Sequence, residues 1–116
     1  MKDLAMLFTL DTTISIYVPS TVDVDKACDN EEVVFTTLEK MTDWFGGATA
    51  MECFGGWRDR VRGQVITEKV TRVFAATSSG VAKTMLSKVV EYAQKIKDTM
   101  KQQAIMLEYN GQYTFI

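Results

Sequence analysis

Two helix patterns with identical spacing separate the strand-like runs of this chain, and they limit its possible folds most strongly. Each pattern places apolar residues at positions i, i+4, i+7 and i+11, which form one continuous stripe along a helix. The stripe residues are Val34, Leu38, Met41 and Phe45 in the first helix, and Met85, Val89, Tyr92 and Ile96 in the second. Asp29 or Asn30 is suited to cap the first helix, and Gly46 to end it. Ser78 and Ser79 begin the second helix.

Runs of alternating or β-branched residues surround these helices and predict strands. They cover residues 12–18, 49–57, 65–77, 104–109 and 112–116. The last two runs flank Asn110-Gly111, which favours a two-residue hairpin turn because both positions need a positive φ. The run 65–77 alternates imperfectly, which predicts a β-bulge or a strand buried on both faces. The apolar residues 1–10 could extend the first strand or form an arm on another subunit.

The order of these elements predicts the fold class. Helices follow the first and third strands, which is typical of an α+β, ferredoxin-like β-α-β-β-α-β sandwich. We expect an antiparallel sheet with both helices on one face, plus a short C-terminal hairpin strand. The chain of 116 residues has room for one hydrophobic core. We therefore expect residues 1–116 to form a single domain.

The charge balance and residue content argue against several kinds of protein. The formal net charge is −2, which is too balanced for a general nucleic-acid coat or a polybasic membrane anchor. No run approaches the ~20 apolar residues of a membrane span, so we expect a cytoplasmic protein. Cys28 and Cys53 are the only cysteines, and histidine is absent. This content supports neither the usual zinc site nor histidine-based catalysis, and we expect no metal and no cofactor.

The connection between the second and third strands carries the first candidate binding site. It contains Trp57, Arg58, Arg60 and Arg62 within a glycine-flanked hairpin. Arginine can bind phosphate or carboxylate through two hydrogen bonds, and tryptophan offers a face for stacking. These residues could contact a nucleotide, an RNA backbone or an acidic protein surface. The simpler interpretation is a solvated hairpin tip whose charges are partly neutralised by Asp59.

The sheet face away from the helices is the second candidate. Depending on the strand register, Tyr17, Arg72 and Glu108 lie on this face, together with Cys53 and either Met51 or Glu52. An apolar or aromatic share on such a face favours self-association, and dimers are the commonest closed oligomers. We therefore expect a homodimer that uses this face.

The sequence contains no recognisable enzyme motif. Glu52, Glu68 and Glu108 could pair for acid–base work, but solvent-facing glutamates opposite Lys69 or Arg72 are expected to form ordinary cross-strand pairs. No histidine, adjacent lysine or adjacent arginine is available to activate Cys53. We therefore predict no catalytic residues.

Four segments carry a resemblance to a known group of proteins. They read TISIYVPST, FGGATAMECFGGW, ITEKVTRVFA and AIMLEYNGQYTFI. In these segments the chain resembles small uncharacterised proteins borne by plasmids, conjugative elements and prophages of gut-type bacteria. The resemblance implies a setting in a mobile element, where anti-CRISPR and other anti-defence proteins recur. It implies no catalytic residue.

Three functions follow as hypotheses. The preferred one is a non-enzymatic interaction protein that binds and inhibits a protein partner, such as a CRISPR-type host defence complex. The alternative is a small-ligand binder, for example of a nucleotide signal, which uses Trp57 for stacking and the arginines for phosphate. The least favoured is a small enzyme that uses Glu68, Tyr17 or Cys53.

Overall fold

A computed structural model describes residues 8–22 and 26–116 of the chain. The prediction for residues 1–10 therefore lies largely outside the described residues, and residues 8–10 belong to neither helix nor strand. The elements are β1 Thr12–Pro19, β2 Thr21–Val22, β3 Lys26–Ala27, α1 Glu31–Phe45, β4 Thr49–Arg58, β5 Val65–Thr77, α2 Ser79–Thr99, β6 Met106–Tyr109 and β7 Gln112–Phe115.

The main sheet has the strand order β4-β5-β1-β6-β7, and all neighbours are antiparallel. This arrangement confirms the α+β, ferredoxin-like prediction with a C-terminal hairpin. The small β2–β3 hairpin was not predicted, because its strands have only two residues each and lie in a segment rich in polar residues. Neither described helix has the uninterrupted apolar length that a bilayer crossing requires.

The hydrophobic core lies between the sheet and the two helices. Ile14, Ile16 and Val18 alternate along β1, and their side chains are almost completely buried. Met41 of α1 and Val89 of α2 pack into the same cluster. Both residues belong to the predicted stripes, so the spacing in the sequence identified the buried side of each helix.

Side chains and backbone close the helix ends much as predicted. The Asp29 Oδ1 accepts a hydrogen bond of 2.9 Å from the first backbone N–H of α1, whereas the Asn30 side chain makes no cap. Gly46 ends α1 with φ 86°, a left-handed conformation that glycine adopts without a Cβ clash. The Ser78 Oγ accepts from the N–H of Val81 at the start of α2.

The irregular alternation in β5 has a cause other than the two predicted, a β-bulge or burial on both faces, since several residues of the strand are exposed. Pairing of β5 with β4 runs unbroken from Phe74 to Val65, so no bulge is present. Pairing of β5 with β1 ends earlier, at Val70 opposite Pro19. Residues 54–58 and 65–69 therefore project beyond the rest of the sheet as a two-stranded extension, here called the β4–β5 ribbon. Its side chains lack the covering that a core strand has.

Tyr92 connects the two helices, and ionisation of its phenol should lower the stability of the protein at alkaline pH. Its hydroxyl lies 2.8 Å from the Thr37 Oγ1, and burial raises the pKa of the phenol above its ordinary value of 10.0. A group whose pKa is higher in the folded state than in the unfolded state contributes stability at pH values below its unfolded-state pKa. That contribution is lost as the pH rises through its folded-state pKa.

We therefore expect the melting temperature of the wild type to fall more steeply above about pH 10 than that of Tyr92→Phe. Thermal melts followed by circular dichroism from about pH 8 to about pH 11 measure the difference. Other ionisable groups, Tyr17 among them, are present in both proteins and cancel in the comparison. Parallel declines of the two melting temperatures would contradict the prediction.

Candidate functional site

The β4–β5 ribbon borders an open cavity of about 590 Å³. Its lining combines aromatic, acidic and basic side chains, which is the composition expected of a site for a polar ligand with an aromatic ring. The lining residues are Thr21, Trp57, Arg58, Asp59, Arg60, Ile66, Thr67 and Glu68. A second cavity, of about 260 Å³, lies between α2 and the C-terminal hairpin. Its lining is mostly apolar.

Three of the four predicted hairpin residues line this cavity. Trp57, Arg58 and Arg60 line it, whereas Arg62 is not among its lining residues. Asp59 orders the connecting turn, because its Oδ1 accepts the N–H of Val61 at 2.9 Å. The structure thus brings together the aromatic face and two of the three predicted arginines, at the end of a strand.

Glu68 is one of the two acidic residues that line the cavity, with Asp59, and its surroundings differ from the prediction. The residue opposite it on β4 is Gly55 rather than a lysine or arginine. A Cβ placed on Gly55 would meet no atom within 4 Å, so there is open space at the position that pairs with Glu68. No lysine or arginine nitrogen lies within 4.0 Å of Glu68 in the described part of the chain. The cross-strand ion pair expected for Glu68 is therefore wrong, and its carboxylate is available to a ligand.

The strand register places the other candidates on the sheet face away from the helices, here called the open face. Tyr17 lies directly opposite Arg72, and Ser15 lies opposite both Phe74 and Glu108. Met51 pairs with Arg72 on the same face, while Glu52 pairs with Thr71, which points to the helices. The structure therefore brings Tyr17, Arg72 and Glu108 together, as the sequence allowed.

Glu108 is buried at the centre of this group. Its Oε1 accepts a hydrogen bond of 2.6 Å from the Ser15 hydroxyl, and its Oε2 accepts one of 2.7 Å from the Gly111 N–H. The Arg72 Nη2 lies 3.5 Å from Oε1, and the Arg72 Nε donates to the Ser15 Oγ at 3.1 Å. Arg72 also lies over the Phe74 ring, 4.3 Å from its centroid. The guanidinium is therefore fixed from three sides.

Tyr17 pairs with Arg72 across β1 and β5 and adds a phenol to the same face. Burial raises the pKa of its phenol above 10.0, with a lowering contribution from Arg72 and raising ones from Tyr113, Glu108 and Cys53. The phenol is therefore protonated at neutral pH and can donate a hydrogen bond.

Sequence reasoning missed Ser15 and set Glu68 aside. A signal for Ser15 was present, since it alternates with the buried Ile14 and Ile16 and therefore points to the open face. Cys28 and Cys53 are both free thiols. Within residues 8–22 and 26–116, no three cysteine or acidic side chains come together as metal ligands would.

Comparison with known proteins gives structural relatives only. No protein-family model matches the chain, and no curated protein gives a significant match. The fold is similar to that of a phage SAM lyase in complex with S-methyl-5′-thioadenosine, with 18% identity, 98% of this chain and 95% of that chain covered, and a TM-score of 0.65. A phage SAM lyase in the apo state matches with 18% identity, coverage of 100% and 94%, and a TM-score of 0.63.

These relatives correct the predicted function. The expectation of a non-enzymatic inhibitor is wrong, because both similar structures are of an enzyme. The sequence contains no familiar catalytic motif, but the absence of such a motif is not evidence against catalysis. Both relatives are phage proteins, which is consistent with the expected phage setting. They do not bear on an anti-CRISPR role or on gut bacteria.

Proposed function

We propose that this chain is a lyase that cleaves S-adenosylmethionine and releases S-methyl-5′-thioadenosine. The observation that carries the proposal is the similarity in fold to the phage SAM lyase over 98% of this chain, at a TM-score of 0.65. The lining of the ribbon cavity supports it independently, since it offers an aromatic face and a carboxylate to an adenosyl group.

Trp57 and Glu68 have complementary tasks in this proposal. Trp57 is 50% exposed at the cavity, so its indole is accessible for stacking on adenine. Glu68 lies diagonally across from it, opposite Gly55, at a distance suited to neighbouring parts of one ligand. Its carboxylate accepts hydrogen bonds from the ribose hydroxyls, as acidic residues do in other nucleoside sites. The missing side chain at Gly55 leaves room for the ribose.

The reaction breaks the bond between the sulfonium sulfur and the γ-carbon of the methionyl part. The bonding electrons go to sulfur, which leaves as the neutral thioether of S-methyl-5′-thioadenosine. The four-carbon fragment then reaches a stable product in one of two ways. Its own carboxylate forms a new C–O bond at the γ-carbon, which gives a lactone, or a β-proton passes to a base, which gives an alkene. Both routes balance without water or a second substrate.

The test is incubation of the purified full chain with S-adenosylmethionine, followed by chromatography with mass detection. We expect S-methyl-5′-thioadenosine to accumulate in proportion to enzyme concentration. Proton NMR of the other product separates the two routes, because only the alkene has vinyl protons. Turnover no faster than the spontaneous decay of S-adenosylmethionine would contradict the proposal. Matched incubations with a mock purification from cells that lack the protein exclude a contaminating activity.

Trp57→Ala should weaken binding of S-methyl-5′-thioadenosine. Loss of base–aromatic stacking costs about 1–3 kcal/mol, which corresponds to a roughly 5- to 150-fold higher Kd. Isothermal titration calorimetry measures it, with Trp44→Phe as the matched control, because Trp44 packs against Tyr92 between the helices and is remote from the ribbon. Equal affinity of the wild type and Trp57→Ala would remove Trp57 from the site.

The proposed activity agrees with the cellular location and the mobile-element origin that we expect for this protein. An enzyme that consumes S-adenosylmethionine acts where this metabolite is made, which supports the predicted cytoplasmic location. The phage relatives support a mobile-element protein. Depletion of S-adenosylmethionine would deprive host methyltransferases of their substrate, which suits such an element.

Self-association through the open face remains a proposal. Tyr113 and Phe115, on the edge strand β7 of the open face, are 58% and 67% exposed, and a second copy there would remove this apolar surface from water. We expect a solution mass of about twice the 13.1 kDa of one chain. Light scattering coupled to size-exclusion chromatography measures it. A mass of one chain over a wide concentration range would contradict the homodimer.

A further inference from the structure

A continuous line of side chains leads from the ribbon cavity across the open face. Alternate residues of β5 point to this face, and each faces a residue of β4. Along β5 and β4 the pairs are Ile66 with Trp57, Glu68 with Gly55, Val70 with Cys53, and Arg72 with Met51. We call these four pairs the substrate track. Gly55 has no side chain, so the surface of the track is lowest beside Glu68. The track ends at Arg72, which pairs with Tyr17 of β1.

The length of the track suits a ligand with two different ends. Four residues of extended strand separate Glu68 from Arg72, about 13 Å between their Cα atoms. Both side chains are long and can reach towards each other over Val70. S-adenosylmethionine has an adenosyl end and an amino-acid end, joined at the sulfonium. With adenine on Trp57 and ribose at Glu68, the amino-acid end points along β5 to Arg72.

Arg72 has the features of a preorganised carboxylate site. Its side chain is 28% exposed and is held by Ser15, Glu108 and the Phe74 ring, so little rotamer entropy is lost when it binds an anion. Among the described residues no acceptor contacts its other terminal nitrogen, Nη1. Glu108 pairs with the guanidinium through Nη2, and both of its oxygens already accept hydrogen bonds.

Tyr17 provides a second donor at the same point. It pairs with Arg72 across β1 and β5, so the two side chains stand next to each other on the open face. A guanidinium and a phenol O–H suit a carboxylate, which accepts at two oxygens. Arg60 is the rival anion site, but its side chain is exposed on a turn, where solvent weakens its interactions.

We propose that Arg72, with the Tyr17 hydroxyl beside it, binds the α-carboxylate of S-adenosylmethionine and sets the direction in which the substrate lies along the track. This inference rests on the proposed function. It predicts that Arg72 discriminates between adenosyl compounds with and without an amino-acid end, whereas Trp57 and Glu68 contribute to both.

Binding of two uncharged thioethers tests the assignment. S-adenosylhomocysteine retains the amino-acid carboxylate, S-methyl-5′-thioadenosine lacks it, and neither contains the sulfonium that reacts. For Arg72→Met we expect the Kd of S-adenosylhomocysteine to rise roughly 10- to 100-fold, with the Kd of S-methyl-5′-thioadenosine unchanged. Arg60→Met tests the rival anion site. Lys69→Met is the matched control and should alter neither, because Lys69 is exposed on the same strand as Arg72 but on the opposite face of the sheet. Retained affinity for S-methyl-5′-thioadenosine also shows that the variant is folded.

The other outcomes overturn the inference in distinguishable ways. If Arg72→Met weakens both ligands equally, or neither, the carboxylate assignment is wrong while the proposed function stands. If Arg60→Met, and not Arg72→Met, selectively weakens the binding of S-adenosylhomocysteine, the carboxylate binds at the hairpin tip instead. If the wild type binds neither compound and does not cleave S-adenosylmethionine, the proposed function and the inference both fail. Should Arg72→Met not fold, Arg72→Lys keeps the charge but loses the two-pronged geometry, and the same selective loss is expected, smaller in size.

Discussion

Glu68→Gln is expected to lower kcat/KM for the cleavage of S-adenosylmethionine by roughly 10- to 100-fold. Glutamine keeps the size of the side chain but removes the charge, and a hydrogen bond to a charged group contributes about 1.5–3 kcal/mol. Glu68 lines the cavity opposite Gly55, so the substitution acts where the ribose is placed. The affinity for S-methyl-5′-thioadenosine should fall as well, because this product retains the ribose.

Glu52→Gln is the matched control for this experiment. Glu52 lies on the same strand as Gly55 and is exposed, but it pairs with Thr71 and does not line the cavity. Initial rates over a range of S-adenosylmethionine concentrations give kcat and KM for both variants. If the two substitutions have equal effects, Glu68 has no special role, and general surface charge explains the change. Full activity of Glu68→Gln would remove its carboxylate from the mechanism.

Ile16→Ala is expected to cost about 2–5 kcal/mol of the free energy of unfolding. Ile16 lies in the central strand β1, between Val73 of β5 and Leu107 of β6, and its relative exposure is 0%. Truncation leaves a cavity between the sheet and both helices, which the neighbouring strands can only partly fill. Urea unfolding followed by circular dichroism measures the change.

Val61→Ala is the control for this stability measurement. Val61 is 93% exposed in the turn of the ribbon, so its truncation should change the free energy of unfolding by less than about 0.5 kcal/mol. Similar losses in the two variants would contradict the position of the core. The expected difference is large for a domain of this size, because total stabilities are about 5–15 kcal/mol.

The sequence predicted most of the fold because local signals and packing agree. The stripes through Met41 and Val89 identified the buried helix sides, and Gly46 marked the end of α1. Asn110 and Gly111 have φ values of 49° and 84°, as the predicted hairpin turn requires. Such patterns are read within a few residues, so they are visible without a three-dimensional structure.

The candidate site was less predictable because it depends on long-range register. The pairing of Glu68 with Gly55 leaves the carboxylate without the cation expected from its neighbours in sequence. The projection of β5 beyond Val70 is equally invisible locally, since it is set by where β1 ends. The predicted binding role of Arg62 remains untested, and Arg62 does not line the cavity. At 18% identity to the phage lyase, the sequence also provided no motif from which to infer the chemistry.

The network around Glu108 has a consequence for synthesis of the protein on the ribosome. Ser15 and Glu108 are 93 positions apart, so the second edge of β1 stays uncovered until β6 has been synthesised. Until then the nascent chain exposes a strand edge that invites pairing with other chains. Ribosomes that stop before Glu108 would release a product that contains every residue of the substrate track, yet lacks the carboxylate that holds Arg72. For such fragments, the presence of the binding residues does not imply a working site.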